Sequence, residues 1–154
     1  MITVKNKSPI EHAKIFFMVD DDVDDHEFFL EALNEIDPSI KCITAINGDE
    51  ALQKLREWTG SLPDFIILDL NLPGMSGKKC LVEIKKDKTL CDIPVVIYTT
   101  TSEKKIIKQM EALGAVHFIS KPNNLSLLRD TLRHLLSVDL AKKPVVNIER
   151  TSST

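Results

Sequence analysis

Four short apolar runs, Ile15–Val19, Phe65–Leu68, Val95–Tyr98 and Val116–Ile119, each lead into polar side chains suited to phosphate or a divalent cation. The groups that follow are Asp20-Asp21-Asp22, Asp69, Thr99-Thr100 and, after Ser120, Lys121-Pro122. Runs of four or five residues without polar alternation are what a strand needs when helices cover both faces of its sheet. Helical patterns fill the gaps between them. Asp24–Ile36 carries Phe29, Leu33 and Ile36 on one face, and Asp22 is placed to open that helix. Asn47-Gly48-Asp49-Glu50 has the acids of a helix start, with Ala51, Leu55 and Trp58 on one stripe. Gly77–Lys86 turns Leu81 and Ile84 inward, its lysines, Lys85 among them, reading as solvated. Ser102 can cap a helix bearing Ile106, Met110 and Leu113, with Gly114 in the position that closes it. Leu125–Leu136 repeats Leu128, Leu132 and Leu135 at helical spacing. A fifth strand, Ile40–Ile46, carries Lys41 and Thr44, as an edge strand does.

Five strands alternating with five helices predict an α/β fold, a doubly wound parallel sheet covered on both faces. Such sheets bind ligands outside the carboxyl ends of their strands. The polar groups above all fall at carboxyl ends, so topology predicts one crevice holding Asp20, Asp21, Asp69, Thr99 and Lys121.

A chain of 154 residues is long enough for one sizeable core, predicted over 14–137. It is flanked by a polar leader, 1–13, and by a tail, 138–154, which contains a short apolar pair, Val145-Val146, and reads as mostly flexible. A net charge of −3 argues against general affinity for nucleic acid or anionic membrane. No apolar stretch reaches the length of a membrane span, and none resembles an export signal, so the expected location is the cytoplasm. Cys42, Cys80 and Cys91 form no paired motif and read as reduced thiols, while the four histidines lack ligand spacing.

Three acids in one crevice repel one another, and keeping them ionised requires a cation. An all-oxygen donor set selects a hard ion, Mg²⁺ before others. Lys121 is placed to pair with an anion and Thr99 to donate a hydrogen bond to it. Metal, ammonium and hydroxyl around one carboxylate make a phosphoryl-transfer site with Asp69 as nucleophile.

In Met18-Val19-Asp20-Asp21-Asp22, Pro63 to Gly77, Ile93 to Thr100 and Ser120-Lys121-Pro122, the chain resembles the receiver domain of two-component response regulators. The match covers roughly 14–137, with Asp21, Asp69, Thr99 and Lys121 spaced by 48, 30 and 22 residues. The resemblance implies a CheY-like, flavodoxin-like sheet of order 2-1-3-4-5. It makes Asp69 the phosphoacceptor, with Mg²⁺ held by Asp21, Asp20, Asp69 and the backbone carbonyl of Asn71. Lys121 pairs with the phosphoryl group, and Thr99 and Phe118 act as switch residues. A histidine kinase or phosphotransfer protein is the implied donor. The face from Ser102 to Leu136 meets a downstream protein, and the chain is a monomer or a phosphorylation-dependent dimer. The expectation is a stand-alone switch rather than an enzyme. Alternatives are an interaction module that never carries phosphate, a phosphate sink, or an aspartyl-phosphate phosphohydrolase. The last is disfavoured because Asn71 stands where such enzymes carry a general acid.

Overall fold

Val19 and Leu68 pair in register at the centre of a parallel sheet, and the rest of the architecture is built outward from that pair. The computed structural model describes residues 14–138 and 146–147; the leader over 1–13 and the remainder of the tail lie outside the described residues. Strands β1 (Ile15–Val19), β2 (Lys41–Ala45), β3 (Phe65–Leu68), β4 (Val95–Thr99) and β5 (His117–Ser120) alternate with five helices. These are α1 (Val23–Ile36), α2 (Gly48–Arg56), α3 (Gly77–Lys86), α4 (Lys104–Ala112) and α5 (Leu125–Ser137). The five strands run parallel in the expected order β2-β1-β3-β4-β5, with β2 at one edge. A sixth strand, β6 (Val146–Asn147), adds parallel to β5 from within the stretch read as a flexible tail. Two residues carry too little periodicity to read as a strand; only the open edge of β5 makes them one.

The pleat divides the strand side chains between two cores. Phe17, Val19, Ile66, Leu68, Val95, Ile97 and Phe118 pack with α2, α3 and α4, through Leu52, Leu55, Leu81, Ile84 and Met110. Phe16, Met18, Phe65, Ile67, Val96, Tyr98 and Ile119 pack with α1 and α5, through Phe29, Leu33, Leu128, Leu132 and Leu135. Each fully buried aliphatic or phenyl side chain contributes roughly 1.5–3 kcal/mol, so the apolar strand runs hold the sheet between its helices.

Four helices start on side-chain caps: Asp22 to Asp24 N at 2.9 Å, Asn47 to Glu50 N at 2.8 Å, Ser76 to Lys79 N at 3.1 Å and Asn124 to Leu127 N at 2.7 Å. The fifth differs from expectation. Ser102 does not cap α4; Glu103 takes the cap position and makes no side-chain cap bond. The other end of α4 is as expected. Gly114, at φ +112°, lets Ala115 N–H reach Met110 O and its own N–H reach Glu111 O, both at 3.0 Å.

Two further readings are corrected. Trp58 lies beyond the end of α2, not on its stripe; its ring meets Phe17 edge-on at 5.6 Å and its Nε1–H donates to Ser61 O at 2.8 Å. Lys85 is not a solvated lysine. It is half-buried and donates to the carbonyls of Cys91 and Ile93, at 2.9 and 3.0 Å, tying α3 to the loop before β4. Burial pushes its pKa below the usual lysine range.

Candidate functional site

The sheet's hydrogen bonds run one residue past the strands and into the crevice. Asp20 N–H donates to Ala45 O at 3.0 Å, Asp69 N–H to Val19 O at 3.0 Å and Lys121 N–H to Thr99 O at 2.8 Å. Each functional side chain therefore leaves a backbone fixed by its neighbouring strand. Beneath Asp69 the fit is close: α3 begins at Gly77, where a Cβ would fall 2.1 Å from Asp69 O and 2.6 Å from Leu70 Cα. Only a glycine allows that approach.

Asp20, Asp21 and Asp69 each place a carboxylate oxygen within 4.8 Å of the other two. Asp20 and Asp69 are buried, while Asp21 opens to solvent. Backbone donors orient the inner pair. Asp22 N–H reaches Asp20 Oδ1 at 2.9 Å and Asn71 N–H reaches Asp69 Oδ1 at 3.2 Å. His26, on α1, donates from Nε2 to the carbonyl of Asp20 at 2.6 Å and pins the helix to the end of β1.

Lys121 brings its ammonium into this group. Nζ lies 2.8 Å from Asp20 Oδ2, 2.7 Å from Asp25 Oδ2 and 3.1 Å from Asp69 Oδ2, with the Tyr98 ring centroid 5.5 Å away. Asp25 was missed by the sequence reading. It sits in the first turn of α1, where acids ordinarily serve the helix dipole, and nothing in its spacing marks it out.

The electrostatics are unbalanced. Burial pushes the Asp20 carboxyl above the ordinary aspartate range, although Lys121 and the Asp22 amide pull it down. Burial alone would lower the Lys121 pKa, but Asp20 and Asp25, with Asp69, hold it above the usual lysine value. One ammonium thus faces four carboxylates and does not compensate the most buried of them. Asp20 Oδ2 meets Lys121 as an ion pair without hydrogen-bond alignment and has no other donor. Hard-oxygen donors with a surplus of negative charge and an under-satisfied buried oxygen fit a divalent cation.

Thr99 and Phe118 complete the surroundings. Thr99 is wholly buried at the end of β4, and its Oγ1 has no hydrogen-bond partner among the described residues. Phe118, one per cent exposed on β5, belongs to the core shared with α2, α3 and α4. Asn71 is exposed at the rim.

Known proteins are similar to this chain in sequence and in fold. The chain is 33% identical over 137 residues to a protein-glutamate methylesterase/protein-glutamine glutaminase of Halalkalibacterium halodurans, covering 84% of this chain and 38% of that protein. It is 36% identical over 91 residues to the probable C4-dicarboxylate response regulator DctR of Bacillus subtilis, covering 59% of this chain and 38% of the relative. The chain therefore spans well under half the length of these two relatives. Among solved structures, the phosphorylated cyanobacterial phytochrome response regulator RcpA superposes with a TM-score of 0.72 at 35% identity, over 80% of this chain and 91% of that one. The Mn²⁺-bound form of response regulator Rcp1 gives 0.71 at 27% identity, over 86% and 99%. The response regulator receiver domain family matches residues 16–133. That stretch runs from β1 into α5 and takes in every member of the acid–lysine cluster, and the chain belongs to the family of response regulator receiver domains.

Proposed function

We propose that this receiver domain is a phosphorylation-controlled switch that accepts a phosphoryl group on Asp69 from the phosphohistidine of a kinase or phosphotransfer protein. The Asp69 carboxylate oxygen forms the new bond to phosphorus. The P–N bond breaks with its electron pair going to the imidazole, which takes a proton from solvent. Asp20, Asp21, Asp69 and the Asn71 carbonyl would hold Mg²⁺, which when bound neutralises charge on the phosphoryl oxygens. Lys121 supplies a second positive charge beside the Asp69 carboxylate, already partly desolvated and oriented.

The observation that carries this reading is the orphaned hydroxyl of Thr99, buried on the strand next to Asp69. An unmet buried hydroxyl costs roughly 1–3 kcal/mol, and an incoming phosphoryl oxygen supplies the missing acceptor. Drawing Thr99 toward that oxygen frees space into which Phe118 turns. The face formed by α4, β5 and α5 then shifts its packing toward a partner. That α4 buries only Met110 and lacks a side-chain cap supports its being the element that moves. The proposed setting is the cytoplasm, with a downstream protein as receiver of the signal.

Incubation with acetyl phosphate and Mg²⁺, followed by intact mass, tests the proposal. One Mg²⁺-dependent phosphate is expected on the native protein and none on Asp69→Asn. No adduct with any donor would leave an interaction module, and continuous turnover of phosphate esters would indicate a hydrolase.

A further inference from the structure

Lys121 has three N–H donors and three carboxylates around it: it donates to Asp25 and Asp69 and meets Asp20 as an ion pair. Two of those acids lie in the metal cluster. Asp25 does not; it reaches in from α1 and makes the shortest contact of the three, 2.7 Å, with good hydrogen-bond alignment. Its side chain is 29% exposed against 11% for the lysine, so it holds the ammonium from the solvent side. The positive charge of the ammonium is thus already shared among three acids.

We infer that Asp25 is a positioning residue that restrains the Lys121 ammonium in the resting state and competes with the phosphoryl group for it. This deepens the phosphoacceptor reading and rests on it. A phosphoryl oxygen arriving at Asp69 competes with these acids for the same ammonium. Asp20 and Asp69 are fixed by strand backbones and local amides, whereas Asp25 sits on a helix with a half-open side chain. The Asp25 bond is therefore the one that yields. Breaking a charge-assisted bond in a half-buried setting opposes phosphorylation, and the negative charge left at the rim repels the incoming anion. Both effects act in the same direction. Asp25 thus sets how readily Asp69 takes and keeps its phosphoryl group, and couples the first turn of α1 to the state of Lys121.

The test uses the full chain and Asp25→Asn, which keeps an acceptor of the same shape without the charge. Beryllofluoride binding at saturating Mg²⁺ is measured by titration, and the Lys121 ammonium is followed in ¹H–¹⁵N spectra of the lysine side chains. Binding is expected to tighten about five-fold in the variant, the scale of exchanging a charged for a neutral acceptor on one donor. The Lys121 ammonium signal, protected in the native protein by its hydrogen bonds to Asp25 and Asp69, is expected to broaden through faster exchange with water. Unchanged or weaker binding in the variant, or an unaltered Lys121 signal, overturns the inference. Failure of the native protein to bind beryllofluoride at all instead overturns the phosphoacceptor reading, and the Lys121 signal still decides whether Asp25 holds the ammonium.

Discussion

Asp20 shows how a functional site costs stability one residue at a time. It is wholly buried, and burial raises its pKa above the ordinary 3.8 in spite of Lys121. The unfolded chain therefore releases this proton at lower pH than the folded one. Between the two values the folded state binds more protons, so stability falls as pH rises through that window. The contribution is complete below 3.8 and lost once pH passes the folded-state value. In EDTA, Asp20→Asn is expected to flatten this part of the profile and to exceed the native protein at pH 7 by about 1 kcal/mol, as removal of a surplus buried charge does. Urea unfolding between pH 4 and pH 8 checks it. A less stable variant at pH 7 would mean that pairing with Lys121 outweighs desolvation. At this same scale, Asp20, Asp21, Asp69 and Lys121 were legible in the sequence because acids and lysines at the ends of apolar runs stand out. Asp25 was not, because an acid beside Asp24 in a first helical turn is ordinary, and only the fold shows which of the two meets Lys121.

Elements are joined here by close backbone approaches and caps, and these were unevenly legible. Asp22, Asn47 and Gly114 announce their roles by residue type and position. The cap of α4 did not follow suit, since Ser102 is the better capping residue yet Glu103 holds the position without a side-chain bond. Replacing it by the shorter acid, Glu103→Asp, is expected to add a cap worth about 1 kcal/mol. It should also slow amide exchange in the first turn of α4; unchanged exchange there would show that no cap forms. Gly77 is the opposite case, a junction that tolerates no addition. In Gly77→Ala the new methyl would overlap the backbone of Asp69 and Leu70 rather than a flexible side chain, so α3 must back away from β3. A loss of about 3 kcal/mol is expected, together with slower acceptance of phosphate because the carbonyl that moves belongs to Asp69. Thermal unfolding and the acetyl phosphate assay read the two effects. Full stability in this variant would contradict the packing of α3 on the end of β3.

For the whole molecule, sheet order and the placing of helices on both faces were legible because strand runs and helical periods alternate without interruption from Ile15 to Ser137. The sixth strand was not, because nothing in Val145-Val146 distinguishes a strand from an apolar pair in a tail. Its energetic role lies in the backbone pairing it makes with β5. Among the described side chains, the buried residues of the two core clusters run from Phe16 to Leu135. β6 supplies backbone pairing along β5, in register His117 with Val146 and Phe118 with Asn147. Net backbone hydrogen bonds contribute only about 1 kcal/mol each, whereas an uncovered strand edge exchanges its amides with solvent freely. A chain ending at Val138 is therefore expected to unfold within a few degrees of the full chain, since about 1 kcal/mol moves the midpoint of a protein this size by roughly 2–4 °C. Amide exchange along β5, at Phe118 above all, should rise severalfold. Differential hydrogen exchange with calorimetry on the two chains separates the terms. A large fall in the midpoint would place part of the core's support in the tail, and unchanged exchange at Phe118 would mean that β6 does not pair with β5 in solution.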